Sequence, residues 1–273
     1  MSFLLLVIGW WSYNYCNFSN YGDQNNNDCI NRLLESHNVD NSLGLQTRYG
    51  HDSEDSNTHS ISIPAVFLNK LPDNIHHYQN SEYRKNIFIK CLLPLILKVN
   101  NGLLKDRERL IHIKRRLDTG QFITRIDQHW LNLLQQKYKL KALDMNKLLW
   151  HVDVIPPSLA LAQAIEETGW GTSSAARLKH STFGITLSSG VKRYDSLMEN
   201  VEAYVNNLNL NPAYSKMRDI RQHMRYQGEN LCSLKLTAGL LKYSELRKRY
   251  LNKLHVHIRH NDLKEYDFKR LAI

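Results

Sequence analysis

The stretch Pro156-Pro157-Ser158-Leu159-Ala160-Leu161-Ala162-Gln163-Ala164-Ile165-Glu166-Glu167-Thr168-Gly169-Trp170-Gly171 carries the reading of the fold. Proline suits the first turn of a helix, where its missing N–H would have no intrahelical partner, and glycine suits the position just past the end. Between these marks almost every side chain is small or apolar. A helix that is apolar on nearly all faces is a buried one, so this segment belongs at the centre of a core. Two carboxylates, Glu166 and Glu167, stand at its C-terminal end. The macrodipole is negative there and burial disfavours an anion, so both effects push a carboxyl pKa upward. That is the property a general acid needs near neutral pH. Consecutive residues lie ~100° apart around a helix axis, so at most one of the two points squarely into a cleft. Trp170 can supply an apolar wall beside it. The competing reading, a solvated Glu-Glu pair, fits poorly behind so apolar a helix.

Outward from this helix the chain stays mostly helical. Downstream, strand signals are confined to Phe183–Arg193. Upstream, Ile123 to Leu149 keeps a helical rhythm, and Leu103 to Leu117 (LLKDRERLIHIKRRL) is amphipathic with interleaved charges. Before that, Tyr83, Ile87, Phe88, Cys91, Leu92 and Leu95 recur at helical spacing after a start at Ser81-Glu82. Pro94 inside this run should kink the helix or mark a junction. Pro64, Pro72 and Asp73 mark an extended entry and a turn. The expected fold class is α+β and predominantly helical. Residues 61–150 read as a helical extension packed on a core formed by residues 151–273.

The first sixty residues read differently. Phe3 to Trp11 (FLLLVIGWW) is apolar and uncharged but far short of the ~20 residues that span a bilayer. No basic stretch precedes it and no small-x-small cleavage pattern follows. Residues 1–16 are therefore read either as a degenerate export signal or anchor, or as a buried strand. Residues 17–60, rich in Asn, Asp, Ser and His, lack the apolar surface that offsets ordering entropy, and read as a disordered tether. The charge divides at the same place. The whole chain of 273 residues carries +10 at pH 7. Residues 1–60 hold two basic and seven acidic side chains, a net of −5, which leaves +15 on the remainder. A field of that sign attracts polyanions of any kind.

Several other signals carry little chemistry. Cys16, Cys29, Cys91 and Cys232 show no CxxC spacing, which argues against a zinc site. In His255-Val256-His257-Ile258-Arg259-His260 only His257 and His260 have the spacing that shares a helix face, and no HExxH pattern accompanies them. This is read as a solvated helix face, with no metal and no cofactor. The basic runs Arg107-Glu108-Arg109, Lys114-Arg115-Arg116 and Arg247-Lys248-Arg249 are mixed with Glu and match no nucleic-acid motif. Nucleic acid is set aside as a partner.

The segment Gln163–Gly171 resembles the Q-A-x-x-E-S-G-W-G signature of the glucosaminidase domain of bacterial peptidoglycan hydrolases. Phe183-Gly184-Ile185 resembles the N-x-F-G-I element of that domain, with Ser181 where Asn is expected. Tyr194-Asp195-Ser196 with Glu199 is similar to its aromatic-x-S segment before a helix. The likeness narrows to the Bax protein family through Val66-Phe67-Leu68-Asn69-Lys70-Leu71-Pro72, Leu92-Leu93-Pro94-Leu95 with Asn100, and Asp106-Arg107-Glu108-Arg109. It continues through Val152–Ser158, Asn207-Leu208-Asn209 with Ala213-Tyr214, Gly239-Leu240 with Tyr243-Ser244, and Ile258-Arg259 with Asn261. It runs from about residue 61 to the end.

This resemblance implies a lysozyme-like core with a reduced β lobe, and cleavage of the β-1,4 bond after N-acetylglucosamine in peptidoglycan. Glu167, directly before Thr-Gly-Trp-Gly, takes the place of the general acid, while Glu166 falls at a variable position that packs or faces solvent. Trp170, Phe183, Tyr204 and Tyr214 are the candidate substrate-binding residues. For Phe183, Tyr204 and Tyr214, core packing stands beside cleft lining as an equal reading. The second catalytic group is the point of departure. Relatives carry acids in a longer β-lobe insertion, whereas Thr186–Arg193 is short and has none, and Asp195 is the nearest acid downstream. Substrate assistance, a water held by other groups, or lost activity each answer that gap. The alternative function is thus a catalytically impaired glycan-binding protein. The implied partner is peptidoglycan or another glycan containing N-acetylglucosamine. The implied location is the cell envelope, periplasmic or anchored to the inner membrane through the N-terminus.

Overall fold

A computed structural model describes residues 62–272. The apolar segment 1–16 and the tether 17–60 lie outside the described residues. Strand β1 (Ser62–Ile63) leads through a 3-10 turn (Ile75–His77) to α1 (Ser81–Asp118), α2 (Arg125–Lys137), α3 (Met145–His151), α4 (Pro157–Thr168) and α5 (Ser174–Lys179). A hairpin of β2 (Thr186–Leu187) and β3 (Gly190–Val191) follows. Then come α6 (Leu197–Leu210), α7 (Ser215–Tyr226), α8 (Ser233–Leu236), α9 (Lys248–His260), a 3-10 segment (Leu263–Phe268) and β4 (Arg270–Leu271). β4 returns to pair in parallel with β1, Ser62 opposite Arg270. The result is the expected α+β class, predominantly helical and lysozyme-like, with a β lobe reduced to one short hairpin.

α1 begins at Asn80, whose side chain accepts from the Glu82 and Tyr83 amides. It is long and apolar enough to cross a membrane, yet 72% of its most apolar window is buried inside the protein, which marks it as a core helix. Of the kink and the junction read for Pro94, the junction is absent, since the helix runs on through it. Proline removes the N–H that would reach the Lys90 carbonyl and costs roughly 3 kcal/mol. Leu92, Leu93, Leu95 and Ile96 are all buried around it, each worth roughly 1.5–3 kcal/mol. Packing outweighs the local penalty. Cys91 on the same helix is buried, and burial pushes its thiol up to about 12.

The single helical rhythm read over Ile123–Leu149 resolves into two helices. Lys139 adopts a left-handed backbone with φ of 54°, and the Leu140 amide turns back to the Gln135 carbonyl at 3.0 Å. Asp144 then starts α3, its Oδ1 accepting from the Asn146 and Lys147 amides.

α4 is the centre of the core: Pro157 to Ile165 are all buried. It packs against α1, α9 and the 3-10 segment 263–268. Pro156, at the N-cap position before α4, makes no side-chain capping bond. Asp267 supplies the cap from the far end of the chain, accepting from the Ser158 amide and Oγ, both at 2.8 Å.

A buried polar pin holds the elements around α4 together. Asp153, with 2% of its side chain exposed, receives Arg225 through Nε at 3.0 Å and Nη2 at 2.8 Å. Arg107 of α1 lies 3.5 Å from the same carboxylate and donates to the Leu149 and Val152 carbonyls. Arg221 of α7 donates to the Asp153, Val154, Trp150 and His151 carbonyls and to Asn209 Oδ1. Nearby, Asn100 and Ile155 exchange hydrogen bonds in both directions. The described residues fall within one compact unit, so the helices before residue 150 and those after it share a core.

Candidate active site

Gly169 ends α4 in the left-handed region at φ 58°, its N–H bonded to the Ile165 carbonyl at 2.9 Å. A side chain with a Cβ resists that conformation, so the glycine fixes where the last turn stops. Glu166 and Glu167 stand in that turn, and α9 lies across them. Tyr250, Lys253 and His257, spaced to share one face of α9, all reach back to α4.

Glu167 is half-buried, and its pKa is raised above the ordinary carboxylate value. Burial is the main cause. A hydrogen bond from Tyr250 opposes it, the neighbouring Glu166 charge adds to it, and Lys253 opposes it in turn. The Tyr250 hydroxyl is itself oriented by accepting from Gln163 Nε2 at 3.1 Å. Gln163 Oε1 accepts from the Tyr204 hydroxyl at 2.8 Å. A continuous relay therefore runs from Tyr204 through Gln163 and Tyr250 to the Glu167 carboxyl.

Of the packed and solvated alternatives, Glu166 takes the packed one, held by partners on α9. Its carboxylate, 15% exposed, receives Lys253 Nζ at 2.5 Å and His257 Nε2 at 3.0 Å. His257 is accordingly no part of a solvated face, whereas His260 is exposed as expected.

Opposite Glu167 runs the segment before the hairpin. Gly184 has φ of 63°, and a Cβ placed there would collide with Glu167 Oε2. Glycine at this position lets backbone approach the carboxyl. Thr182 anchors the segment, its N–H and Oγ1 both donating to Asn200 Oδ1. Behind it is an aromatic layer. Phe183 stacks on Tyr204 with centroids 3.9 Å apart and planes at 10°, and Tyr243 stacks on Tyr250 at 5.6 Å and 11°. Tyr243 donates to the Phe183 carbonyl at 2.7 Å and lies 5.8 Å from the Tyr214 ring.

The structure thus gathers Glu167, Phe183, Tyr204 and Tyr214 around one aromatic layer. Phe183 and Tyr204 are 0% exposed and Tyr214 6%. Of the two readings left open for these rings, their burial is that of core packing. Trp170 turns away toward α1, edge-on to Phe88 at 6.0 Å with Lys85 Nζ 5.4 Å from its ring centre. Asp195 is exposed, and its N–H donates to Glu199 Oε2 while Ser196 Oγ accepts from the Glu199 amide. Asp195-Ser196-x-x-Glu199 is a capping arrangement for α6. Sequence reasoning missed Tyr250, Lys253 and His257 as neighbours of the two carboxylates. Their spacing along one helix was visible, but its partner surface was not. Among the described residues no group of three or more His, Cys, Asp or Glu side chains could hold a metal ion.

Comparison with known proteins bears on this geometry. Residues 144–263 match the family model described as glucosaminidase, mannosyl-glycoprotein endo-beta-N-acetylglucosaminidase. The chain is 31% identical over 216 residues to protein bax of Escherichia coli (strain K12), covering 73% of this chain and 77% of that protein. No solved structure matches the chain.

Proposed function

Since the chain belongs to the Bax protein family and carries a glucosaminidase domain, we propose that it cleaves the β-1,4 bond after N-acetylglucosamine in peptidoglycan, with Glu167 as general acid. The carrying observation is the Glu167 carboxyl itself: half-buried, raised in pKa and held by Tyr250. Burial favours the protonated form of that carboxyl, the form in which a general acid works. It passes the proton to the glycosidic oxygen as the C–O bond breaks, and the departing sugar leaves with a free hydroxyl. Tyr250 fixes the carboxyl's orientation, and Gly184 lets backbone close against it. Positive charge then develops at the anomeric carbon. With no acid in the hairpin Thr186–Val191, the substrate's own acetamido oxygen or a positioned water meets that charge. The same reading locates the chain in the cell envelope, periplasmic or held to the inner membrane, with residues 1–16 as export signal or anchor.

The acid-free hairpin also favours a second reading, a glycan-binding protein of the envelope with impaired catalysis. Digestion of purified peptidoglycan followed by mass spectrometry of the fragments separates the two. The hydrolase reading predicts new N-acetylglucosamine reducing ends, abolished by Glu167→Gln. Glycan binding without new ends would support the second reading. Products that persist in Glu167→Gln would remove this residue from the acid's role.

A further inference from the structure

The turn between α1 and α2 carries an apolar tip that the described fold leaves uncovered. Leu117 closes the last turn of α1, Phe122 stands on the connection, and Ile126 opens α2; they are 40%, 92% and 76% exposed. The connection is well held. Gly120 N–H bonds to the Leu117 carbonyl, Gln121 N–H to the Arg116 carbonyl at 2.8 Å, and Arg116 Nη2 to the Phe122 carbonyl at 2.5 Å. Thr124 caps α2 by accepting from the Asp127 amide at 3.0 Å. Phe122 is therefore presented outward by backbone bonds on both sides of it.

Cations ring this tip. Lys114 is paired with Asp118 at 2.7 Å, and Asp127 with Arg109 at 2.8 Å. Arg115, Arg116 and Arg125 form no ion pair among the described residues. Arg125 is also the first residue of α2, where the helix dipole disfavours a positive charge. Helix electrostatics does not account for it.

We propose that this tip docks on an anionic bilayer surface, with Phe122 and Ile126 entering the headgroup boundary and Arg115, Arg116 and Arg125 meeting lipid phosphates. A stable protein partner needs roughly 800 Å² from each side, more than three side chains on a turn present. Interfacial insertion needs only a few apolar side chains with cations beside them. A neutral glycan would match the arginines poorly and an acidic one would leave Phe122 in water. The proposal is independent of the glycosidase reading.

The test uses the full chain with vesicles of phosphatidylcholine alone and of phosphatidylcholine with about a third phosphatidylglycerol. Co-sedimentation compares the wild type with Phe122→Ser/Ile126→Ser and with Arg115→Gln/Arg116→Gln/Arg125→Gln, all retaining the same N-terminal apolar segment. The expected result is tighter binding to the anionic vesicles, weakened about tenfold by either variant. Phe122, Ile126, Arg115 and Arg125 are exposed and Arg116 makes one hydrogen bond to the turn, so thermal unfolding midpoints should fall by no more than a few degrees. As a site-specific readout, Phe122→Trp should gain a blue-shifted emission component with anionic vesicles, quenched by brominated lipid. Equal binding by all three proteins, or no preference for anionic vesicles, would overturn the proposal. So would a variant that changes self-association in sedimentation velocity while leaving vesicle binding intact.

Discussion

Glu166 and Tyr250 act on Glu167 with opposite signs, which makes the site's proton affinity testable one residue at a time. Burial raises the Glu167 pKa, the Tyr250 hydrogen bond lowers it, the Glu166 charge raises it and Lys253 lowers it. A general acid works while protonated, so activity falls as pH rises through its pKa. Glu166→Gln removes a raising influence, and the basic limb of the kcat/KM profile should move to lower pH. Tyr250→Phe removes a lowering influence, so that limb should move to higher pH. Losing the orienting bond should also reduce kcat by about tenfold. A pH profile of peptidoglycan hydrolysis for both variants checks the pair of signs; shifts in the same direction would refute this assignment. The apolar run and the glycine stop made a carboxyl pair at the end of a buried helix legible in the sequence, and the resemblance of Thr168-Gly169-Trp170-Gly171 singled out Glu167 from it. The role of Glu166 was not legible, since only contact with α9 distinguishes a buried ion pair from a solvated carboxylate.

At the scale of elements, helices are legible where burial and periodicity agree and fail where a contact overrides them. The pattern over Ile123–Leu149 stays helical through Leu140 and Leu143, yet Lys139 turns left-handed and the helix stops. A lysine in that conformation costs roughly 1–2 kcal/mol, and nothing in its identity announces it. The Asp144 cap and the break before it both emerge only in the structure, because the sequence keeps one helical rhythm across them. Asp153 is the corresponding joint between elements. Burial alone would raise its pKa, but Arg221, the bonded Arg225 and Arg107 outweigh burial and hold the carboxyl below the ordinary carboxylate range. A depressed folded pKa means stability that is fully present above the unfolded value of ~3.9 and lost as pH falls through the folded value. Asp153→Asn leaves the arginines without their buried counter-charge and should cost about 3 kcal/mol at pH 7. Urea unfolding at neutral pH and in acid checks both parts: the deficit should be large at neutral pH and shrink as the wild type's own carboxylate is protonated.

Across the whole molecule, the segment that matches the glucosaminidase family begins at residue 144, whereas the packed unit begins before α1. Composition marked the change at residue 61, where the net charge turns from −5 to positive, but could not say whether α1 and α2 belong to the same core as the site helix. The packing does. Leu92, Leu95, Ile96, Val99 and Leu103 of α1 are buried, and α1 lies against α3, α4 and α6. Without α1, the fragment 144–273 would expose the apolar faces of α4 and α6. It would also leave the Ile155 backbone without Asn100 and Asp153 without Arg107. Each Leu or Ile face returned to water costs roughly 1.5–3 kcal/mol. Several together exceed the ~5–15 kcal/mol that holds a typical domain folded. Residues 56–273 should therefore unfold in one cooperative urea transition, while residues 144–273 should show no cooperative transition and bind a hydrophobic dye. A folded, cooperative 144–273 fragment would mean that the site helix needs no support from α1, contrary to the buried contacts that surround it.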